Sequence, residues 1–238
     1  MSHVRVASPR VAAARTALAV AAAWAAGPTG CDPGAGMPTA ADAAADASLP
    51  SGLDPRFPVE VVAVSIGPGG GRGADALPDV VLGPPVGGGE LAGSTDTLSL
   101  GDGGSIVLRF AWPVVDGPGP DFIVFENPFR VAGTTDTIFA EPGQVAVGDT
   151  DGTFVAFPCD PAPPYAGCAG RTPVLAHPDR DVDPTDPDVA GGDAFDLADI
   201  GIGTFTLVRI TDVGGKAGAA GTAGFDLDAV AAIHVLEP

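Results

Sequence analysis

Apolar and polar residues alternate in short segments along the chain, and this pattern predicts β-strands. Val59–Ile66 and Thr204–Ile210 follow the two-residue period of a strand with one buried face. A last strand is predicted from Phe225 to Leu236. After residue 30 no segment sustains a helical period, although Phe195–Ile200 could form one turn. The pattern therefore predicts an all-β protein.

Turn chemistry indicates how neighbouring strands connect. We predict one hairpin between Thr97–Leu100 and Ser105–Phe110 through the turn Gly101–Gly104, and another between Gln144–Gly148 and Phe154–Phe157. Many short strands separated by turns are typical of a sandwich. The predicted fold is a single jelly-roll-type β-sandwich.

The stretch Asp121–Glu126 stands out because four consecutive apolar residues, Phe122–Phe125, lie between two carboxylates. A continuous apolar run predicts a strand buried on both faces, and Pro128 ends it because proline cannot donate to a sheet ladder. Carboxylates at both ends of a buried strand are costly unless they find partners. The partners of these two acids are the main question that the sequence raises.

The N-terminus has the features of an export signal. Arg5, Arg10 and Arg15 precede or flank the apolar run Thr16–Ala26, which is too short to span a bilayer. We interpret residues 1–30 as a signal peptide.

The residues around Cys31 resemble the cleavage site of bacterial lipoprotein signals, where the cysteine becomes lipidated, although Pro28 replaces the usual aliphatic residue. The alternative is ordinary cleavage that leaves Cys31 free or removes it. Residues 31–56 are low in large side chains and predict a flexible tether, followed by the sandwich domain at 57–238. The predicted location is the cell surface or outer membrane as a lipoprotein, and otherwise secreted.

Cys159 and Cys168 lie at the two ends of a proline-rich loop. In an exported protein this spacing predicts a local disulfide, worth about 2–3 kcal/mol for so short a loop. A metal or redox pair is the alternative, but the spacing is not CxxC and no third ligand lies nearby.

The charge balance restricts the partners. The chain has 11 Lys and Arg against 30 Asp and Glu, with a formal net charge of -19. Such a chain should not bind nucleic acid or an anionic membrane surface, so contact with a membrane is expected only through the lipid anchor. The expected partners are cations, calcium above all, and a glycan or surface protein, with the domain itself a monomer.

Four motifs occur in the order Leu98–Ile106, Gly119–Asn127, Phe195–Ala198 and Gly224–Val230. Together they resemble a group of exported bacterial cell-surface proteins and lipoproteins, over nearly all of residues 59–236. That group implies location and fold more than any activity.

A second resemblance covers only Val145–Phe154, which is similar to the Ser-x-Asp-Gly-x-x-Trp hairpin of discoidin-type, galactose-binding-like domains. This chain has Gly148 and Phe154 where that hairpin has Ser and Trp. The resemblance implies a jelly roll that binds ligands at loops at one end, often with a structural calcium ion. No specific sugar site carries over.

Carboxylate and amide oxygens at strand ends predict a calcium site, because calcium takes six to eight oxygen ligands. Asp226 and Asp228 fall on one face of the last strand, where they repel unless solvated or bridged by a cation. The predicted ligands are Asp121, Glu126, Asn127, Asp226 and Asp228. The alternative is that these acids cap turns and face water.

No nucleophile elbow, HExxH pair or phosphate-binding loop occurs in the sequence, so we predict that the protein is not an enzyme. A glycoside hydrolase remains an alternative, since two carboxylates would suffice and their spacing in the fold is invisible here.

Trp112 and Tyr165 are the predicted ligand-binding residues, because exposed aromatic rings stack on sugars. Trp112 precedes Pro113 at a predicted strand end, and both residues could equally serve in packing. The function predicted is a non-enzymatic surface binding or adhesion module, calcium-stabilised and carbohydrate-binding. The alternative is a purely structural surface lipoprotein.

Overall fold

The computed structural model describes residues 54–134, 137–214 and 222–237. These lie in one compact unit that spans Asp46–Pro238. The predicted signal peptide, the lipidation site Cys31 and the tether up to residue 53 lie outside the described residues. Within the described ranges, none of the helical segments has the length and hydrophobicity needed to cross a membrane.

The described chain is an all-β sandwich of short strands with three single 3-10 turns, as the alternation predicted. The strands are β1 Glu60–Ser65, β2 Leu98–Ser99, β3 Ser105–Val115, β4 Phe122–Phe125, β5 Phe129–Arg130, β6 Ile138–Phe139, β7 Gly143–Gly148, β8 Phe154–Ala156, β9 Asp193–Phe195, β10 Thr204–Asp212, β11 Asp226–Leu227 and β12 Ala229–Ala232. The 3-10 turns are Ala74–Ala76, Asp79–Val81 and Leu197–Ile200.

One layer of the sandwich is a five-stranded antiparallel sheet with the order β1-β3-β10-β7-β8. Its central strand, β10, buries Phe205, Val208 and Ile210, and the alternation changes phase where its pairing with β3 shifts register between Phe205 and Leu207. The predicted hairpin that joins β7 to β8 is confirmed, with Val147 paired to Val155.

The other layer is built on the three-stranded sheet β12-β4-β9, with the short pair β11-β2 beside it. Only Asp228 separates β11 from β12. Phe122 and Val124 of β4 pack into the main core together with Phe205 and Val208 of β10. Apolar side chains of both layers thus form one interior.

Strand β4 is buried on both faces, as predicted. Its other two residues, Ile123 and Phe125, enter a second apolar cluster with Val174 and Ala190. These come from the proline-rich acidic segment that begins near residue 173. The segment therefore covers the outer face of β4 with its apolar residues, which explains why the β4 sequence is apolar without alternation.

The hairpin predicted between β2 and β3 is wrong. Leu98–Ser99 pairs with Asp226–Leu227, whereas β3 pairs with β1 and β10, so the intervening turn carries the chain from one layer to the other. Gly101 in this turn has φ 78° and lies against the backbone of Gly67, where a Cβ would clash. Such glycine chemistry serves a hairpin and a layer crossing equally well, so local sequence cannot separate them.

Residues 54–56, the last of the predicted tether, contact the sandwich. The Arg56 carbonyl accepts a hydrogen bond from Ala232 N at 2.7 Å, and the Arg56 guanidinium pairs with Asp54 at 2.7 Å. Phe57 follows and is 6% exposed. The chain is therefore anchored to β12 from Asp54 onward.

Candidate functional site

Asp121 lies fully buried just before β4, and both of its carboxylate oxygens bind backbone N–H groups. Oδ1 accepts from Gly117 N at 2.7 Å and Oδ2 accepts from Leu197 N at 2.7 Å. The two donors belong to the loop before β4 and to the 3-10 turn after β9. Asp116 and Asp196 lie near enough to share an ion with it, but the Asp121 oxygens are already satisfied. Asp121 therefore acts as a clamp between two loops.

The opposite end of β4 carries a different arrangement, which we call the acidic cluster: Glu126, Glu141 and Asp226. Each side chain offers a carboxylate oxygen, and these oxygens all lie within 4.8 Å of one another. The three residues are 3%, 5% and 5% exposed. Glu126 follows β4, Glu141 lies two residues beyond β6, and Asp226 is in β11, so three separate segments converge here.

Several oxygens in this region lack hydrogen-bond donors. Glu126 Oε2, Asp226 Oδ1 and Asn127 Oδ1 are buried and have no hydrogen-bond partner among the described residues. Glu126 Oε1 accepts from Asp226 N at 3.2 Å, and Asn127 Nδ2 lies 3.5 Å from Asp226 Oδ2. Gly93 allows its loop to approach the Asn127 amide, where a Cβ would lie 2.7 Å from Oδ1. The cluster is covered by protein but rich in unused acceptors.

The acidic cluster destabilises the folded protein when its carboxyl groups are ionised and no cation balances them. Burial raises the pKa of Glu126 well above its usual range, and the nearby charges of Asp226 and Glu141 raise it further. Two full charges within 4.8 Å of each other repel by about 3.5 kcal/mol or more at an effective dielectric constant of 20. Among the described residues, neither Glu126 nor Asp226 has a Lys or Arg within ion-pair distance. The cluster needs protons or a cation to balance it.

Asp226 shows the same imbalance. Burial raises the pKa of its carboxyl, and the nearby polar groups of Ser99 and Asn127 and the charge of Arg72 only partly oppose that rise. Ser99 is its partner across the β11-β2 ladder. The Ser99 hydroxyl makes no well-formed hydrogen bond within the described ranges, so its effect on Asp226 is that of a nearby dipole.

Asp228 is buried apart from this group. Both of its oxygens accept from Val86 N, at 2.9 and 3.1 Å, which ties the segment after the 79–81 turn to the last strands. Burial raises the pKa of Asp228 to about 7, the Val86 N–H opposes the rise, and Asp96 adds to it. The five predicted metal ligands are therefore divided: Glu126, Asn127 and Asp226 come together, while Asp121 and Asp228 each clamp backbone.

Glu141 completes the acidic cluster, but it was not predicted from the sequence as a site residue. A signal was present, because Ile138–Pro142 repeats the pattern of an apolar run, a glutamate and then a proline seen at the end of β4. Strands β5 and β6 are only two residues long, so alternation gave no hint of them.

A cleft of about 360 Å³ lies between the disulfide loop and the β9 region, and we call it the Arg171 cleft. The rings of Phe157 and Phe195, 4.9 Å apart at their centroids, form part of its lining. Arg171 and Asp199 bring opposite charges to it. The remaining lining residues are Pro158, Gly167 and Ala194.

The Arg171 guanidinium is held in place at this cleft. Its Nε donates to Cys168 O at 2.8 Å, and its Nη2 lies 3.2 Å from Asp193 Oδ1. Asp193 is 5% exposed and also accepts from Arg171 N and from the Thr172 hydroxyl. Burial raises the pKa of Asp193, and these donors only partly counter that rise. A guanidinium fixed in this way is oriented before any ligand arrives.

The predicted disulfide between Cys159 and Cys168 is confirmed. Tyr165 lies in that loop, two residues before the cleft residue Gly167, and is half-buried with φ 60°.

Trp112 lies in β3 and is not part of the lining of the Arg171 cleft. The sequence placed Trp112 at a strand end, but β3 continues beyond it to Val115. The half-buried Trp112 lies where the pairing of β3 with β10 is irregular. That irregularity accommodates Pro113 inside a strand.

Comparison with models of known protein families and with curated proteins gave no match for this chain.

Proposed function

We propose that this protein is a non-enzymatic binding module of an exported protein, and that its ligand site is the Arg171 cleft. The observation that carries the proposal is the guanidinium of Arg171, held by Cys168 O and Asp193 beside two aromatic rings. Oriented polar groups beside apolar surface are the usual composition of a small-ligand site. The Cys159–Cys168 disulfide supports an oxidising compartment and therefore export.

The chemistry of the cleft favours a neutral glycan. Arg171 donates hydrogen bonds and Asp199 accepts them, which suits neighbouring hydroxyl groups. The exposed Pro158 and Ala194 offer apolar contact to the C–H face of a ring, above the buried rings of Phe157 and Phe195. The Asp199 carboxylate and the overall charge of -19 disfavour an anionic ligand.

The placement of the acids supports binding over hydrolysis. Glycoside hydrolases need two carboxylates that reach the scissile bond. Glu126, Glu141 and Asp226 are each at most 5% exposed, so a sugar cannot reach them. Of the acids described by the structure, Asp199 is the one that lines the Arg171 cleft.

A glycan array followed by calorimetry on the purified protein tests this proposal. Ala194 is exposed and lines the cleft, so Ala194→Trp fills the cleft without removing a hydrogen bond. Ala198 is exposed but is not part of the lining, so Ala198→Trp is the matched control. We expect saturable binding that Ala194→Trp weakens at least about tenfold and Ala198→Trp leaves unchanged.

Other outcomes would contradict the proposal. Binding that survives Ala194→Trp would place the ligand site elsewhere. Turnover of the bound glycan would favour the hydrolase, and no binding across the array would favour a purely structural surface protein.

A further inference from the structure

We propose that Glu126, Asn127, Glu141 and Asp226 bind one calcium ion inside the wall of the sandwich. This site is separate from the Arg171 cleft, and its ligands come from the ends of β4 and β6 and from β11. The proposal differs from the sequence-based set of ligands in two ways: it includes Glu141, and it leaves out Asp121 and Asp228.

The spacing of the three carboxylates fits a single ion. Their oxygens lie within 4.8 Å of one another. Calcium binds oxygens at 2.3–2.6 Å, so two ligands on opposite sides of one ion are separated by about 4.6–5.2 Å. One ion can therefore contact all three acids without moving the strands that carry them.

The unused oxygens point to a cation independently of this spacing. Glu126 Oε2 and Asp226 Oδ1 belong to side chains that are at least nine-tenths buried, and neither atom has a hydrogen-bond partner among the described residues. Asn127 Oδ1, a neutral acceptor on a half-buried side chain, is also a buried atom without a hydrogen-bond partner among the described residues. A buried acceptor without a donor destabilises the folded state, because it has lost its hydrogen bonds to water and gained none in exchange. The oxygens of Asp121 and Asp228 differ in this respect, because each Asp121 oxygen accepts from its own backbone N–H and both Asp228 oxygens accept from Val86 N.

The ligand types select calcium over other common ions. All four residues offer oxygen, whereas zinc favours cysteine sulfur and histidine nitrogen. Magnesium requires near-octahedral geometry and usually keeps several waters, which a covered cluster of protein oxygens does not suit. Calcium accepts irregular sets of six to eight oxygens, including carboxylates that bind through both atoms.

A bound ion would also explain how a very short strand pair holds its place. Strands β5 and β6 have two residues each. Asn127 lies two residues before β5 and Glu141 lies two residues after β6. An ion that binds both would close the base of this hairpin.

Lys216 is the main rival to a metal ion, since it is the chain's one lysine and lies ten positions before Asp226, outside the described residues. Substitution of carboxylates by amides separates the two cases. Glu141→Gln and Asp226→Asn keep side-chain size but remove charge, Asp196→Asn is a control in the other acidic group, and Lys216→Met removes the rival cation.

The experiment is thermal melting and calorimetry of the full protein, first with a chelator and then with calcium or magnesium chloride. We expect one calcium per chain and a melting temperature raised by about 5–10 °C at one hundred times the dissociation constant, with a smaller rise for magnesium. Glu141→Gln and Asp226→Asn should lose at least about tenfold in calcium affinity. In chelator both should melt at or above the wild-type temperature, because an amide relieves the repulsion.

A variant that melts at or above the wild-type temperature in chelator, but below it in calcium, has lost a metal ligand. A residue that only supports the fold would lower the melting temperature in both conditions. Asp196→Asn and Lys216→Met should behave like the wild type in both conditions. A wild-type melting temperature that calcium does not change would overturn the proposal. So would a Lys216→Met variant that melts lower while the wild type binds no calcium, since Lys216 would then neutralise the cluster.

Discussion

Replacing Asp121 tests the difference between a clamping carboxylate and a metal ligand. Asp121→Ala removes acceptors for Gly117 N and Leu197 N, both at 2.7 Å, while the backbone bonds of residue 121 to Phe195 and Ile233 remain. Asp121→Asn keeps one acceptor but turns an NH₂ group toward the second N–H. Asp116→Ala is the control, because Asp116 is exposed and lies in the same group of acids.

The magnitude follows from the two hydrogen bonds. A hydrogen bond to a charged group contributes about 1.5–3 kcal/mol, and a buried donor left alone costs about 1–3 kcal/mol. Leu197 N is buried, whereas Gly117 is partly exposed and water can reach it after truncation. We therefore expect a loss of about 3–5 kcal/mol for Asp121→Ala and about 2–3 kcal/mol for Asp121→Asn. The exposed control should change stability by less than about 0.5 kcal/mol.

Urea unfolding followed by circular dichroism measures these losses, with and without calcium. The clamp role predicts the same loss in both conditions, since Asp121 does not contact the acidic cluster. A loss below about 1 kcal/mol for Asp121→Ala, or one that appears only with calcium, would refute this reasoning.

Three further predictions concern the fold and the cleft. Replacing Cys159 and Cys168 by Ala opens a loop with a sequence separation of 9, and urea unfolding should show a loss of about 3 kcal/mol; no loss would contradict the role of the crosslink. Phe122 is fully buried against Phe157, Phe195 and Phe205, so Phe122→Ala should cost about 3–5 kcal/mol in the same assay. Phe139→Ala, at a side chain that is 42% exposed, should cost less than about 1 kcal/mol, and equal losses would be inconsistent with this core. Burial raises the pKa of Asp193 in the folded protein above its value in the unfolded chain. The stabilisation that follows from this difference is therefore complete when the pH is below the unfolded-state pKa, and it is lost as the pH rises through the folded-state pKa. The stability difference between the wild type and Asp193→Asn should therefore be more favourable to the wild type at pH 4 than at pH 7, and a difference independent of pH would count against this shift.

The strands were largely predictable because their information is local. Alternation in Thr204–Ile210 marks the central strand β10, and the apolar run Phe122–Phe125 marks a strand covered on both faces. The connection after β2 was not predictable, because Leu98–Ser99 pairs with residues far along the chain and its glycine turn fits either arrangement. Strands β5 and β6 are too short to show a period.

The candidate sites show a similar limit. The sequence indicates that acids at the ends of a buried strand need partners, and Glu126, Asn127 and Asp226 do come together. It cannot show that the partners of Asp121 are backbone N–H groups, because those groups come from distant loops. The Arg171 cleft depends on Asp193, 22 positions away, for the orientation of its guanidinium, so no local motif marks it.

A crystal structure of the protein grown with calcium tests the central claim most directly. We expect an anomalous peak about 2.3–2.6 Å from oxygens of Glu126, Asn127, Glu141 and Asp226. Finding the Lys216 ammonium at that position, or carboxyl groups hydrogen-bonded to one another with no ion between them, would contradict it.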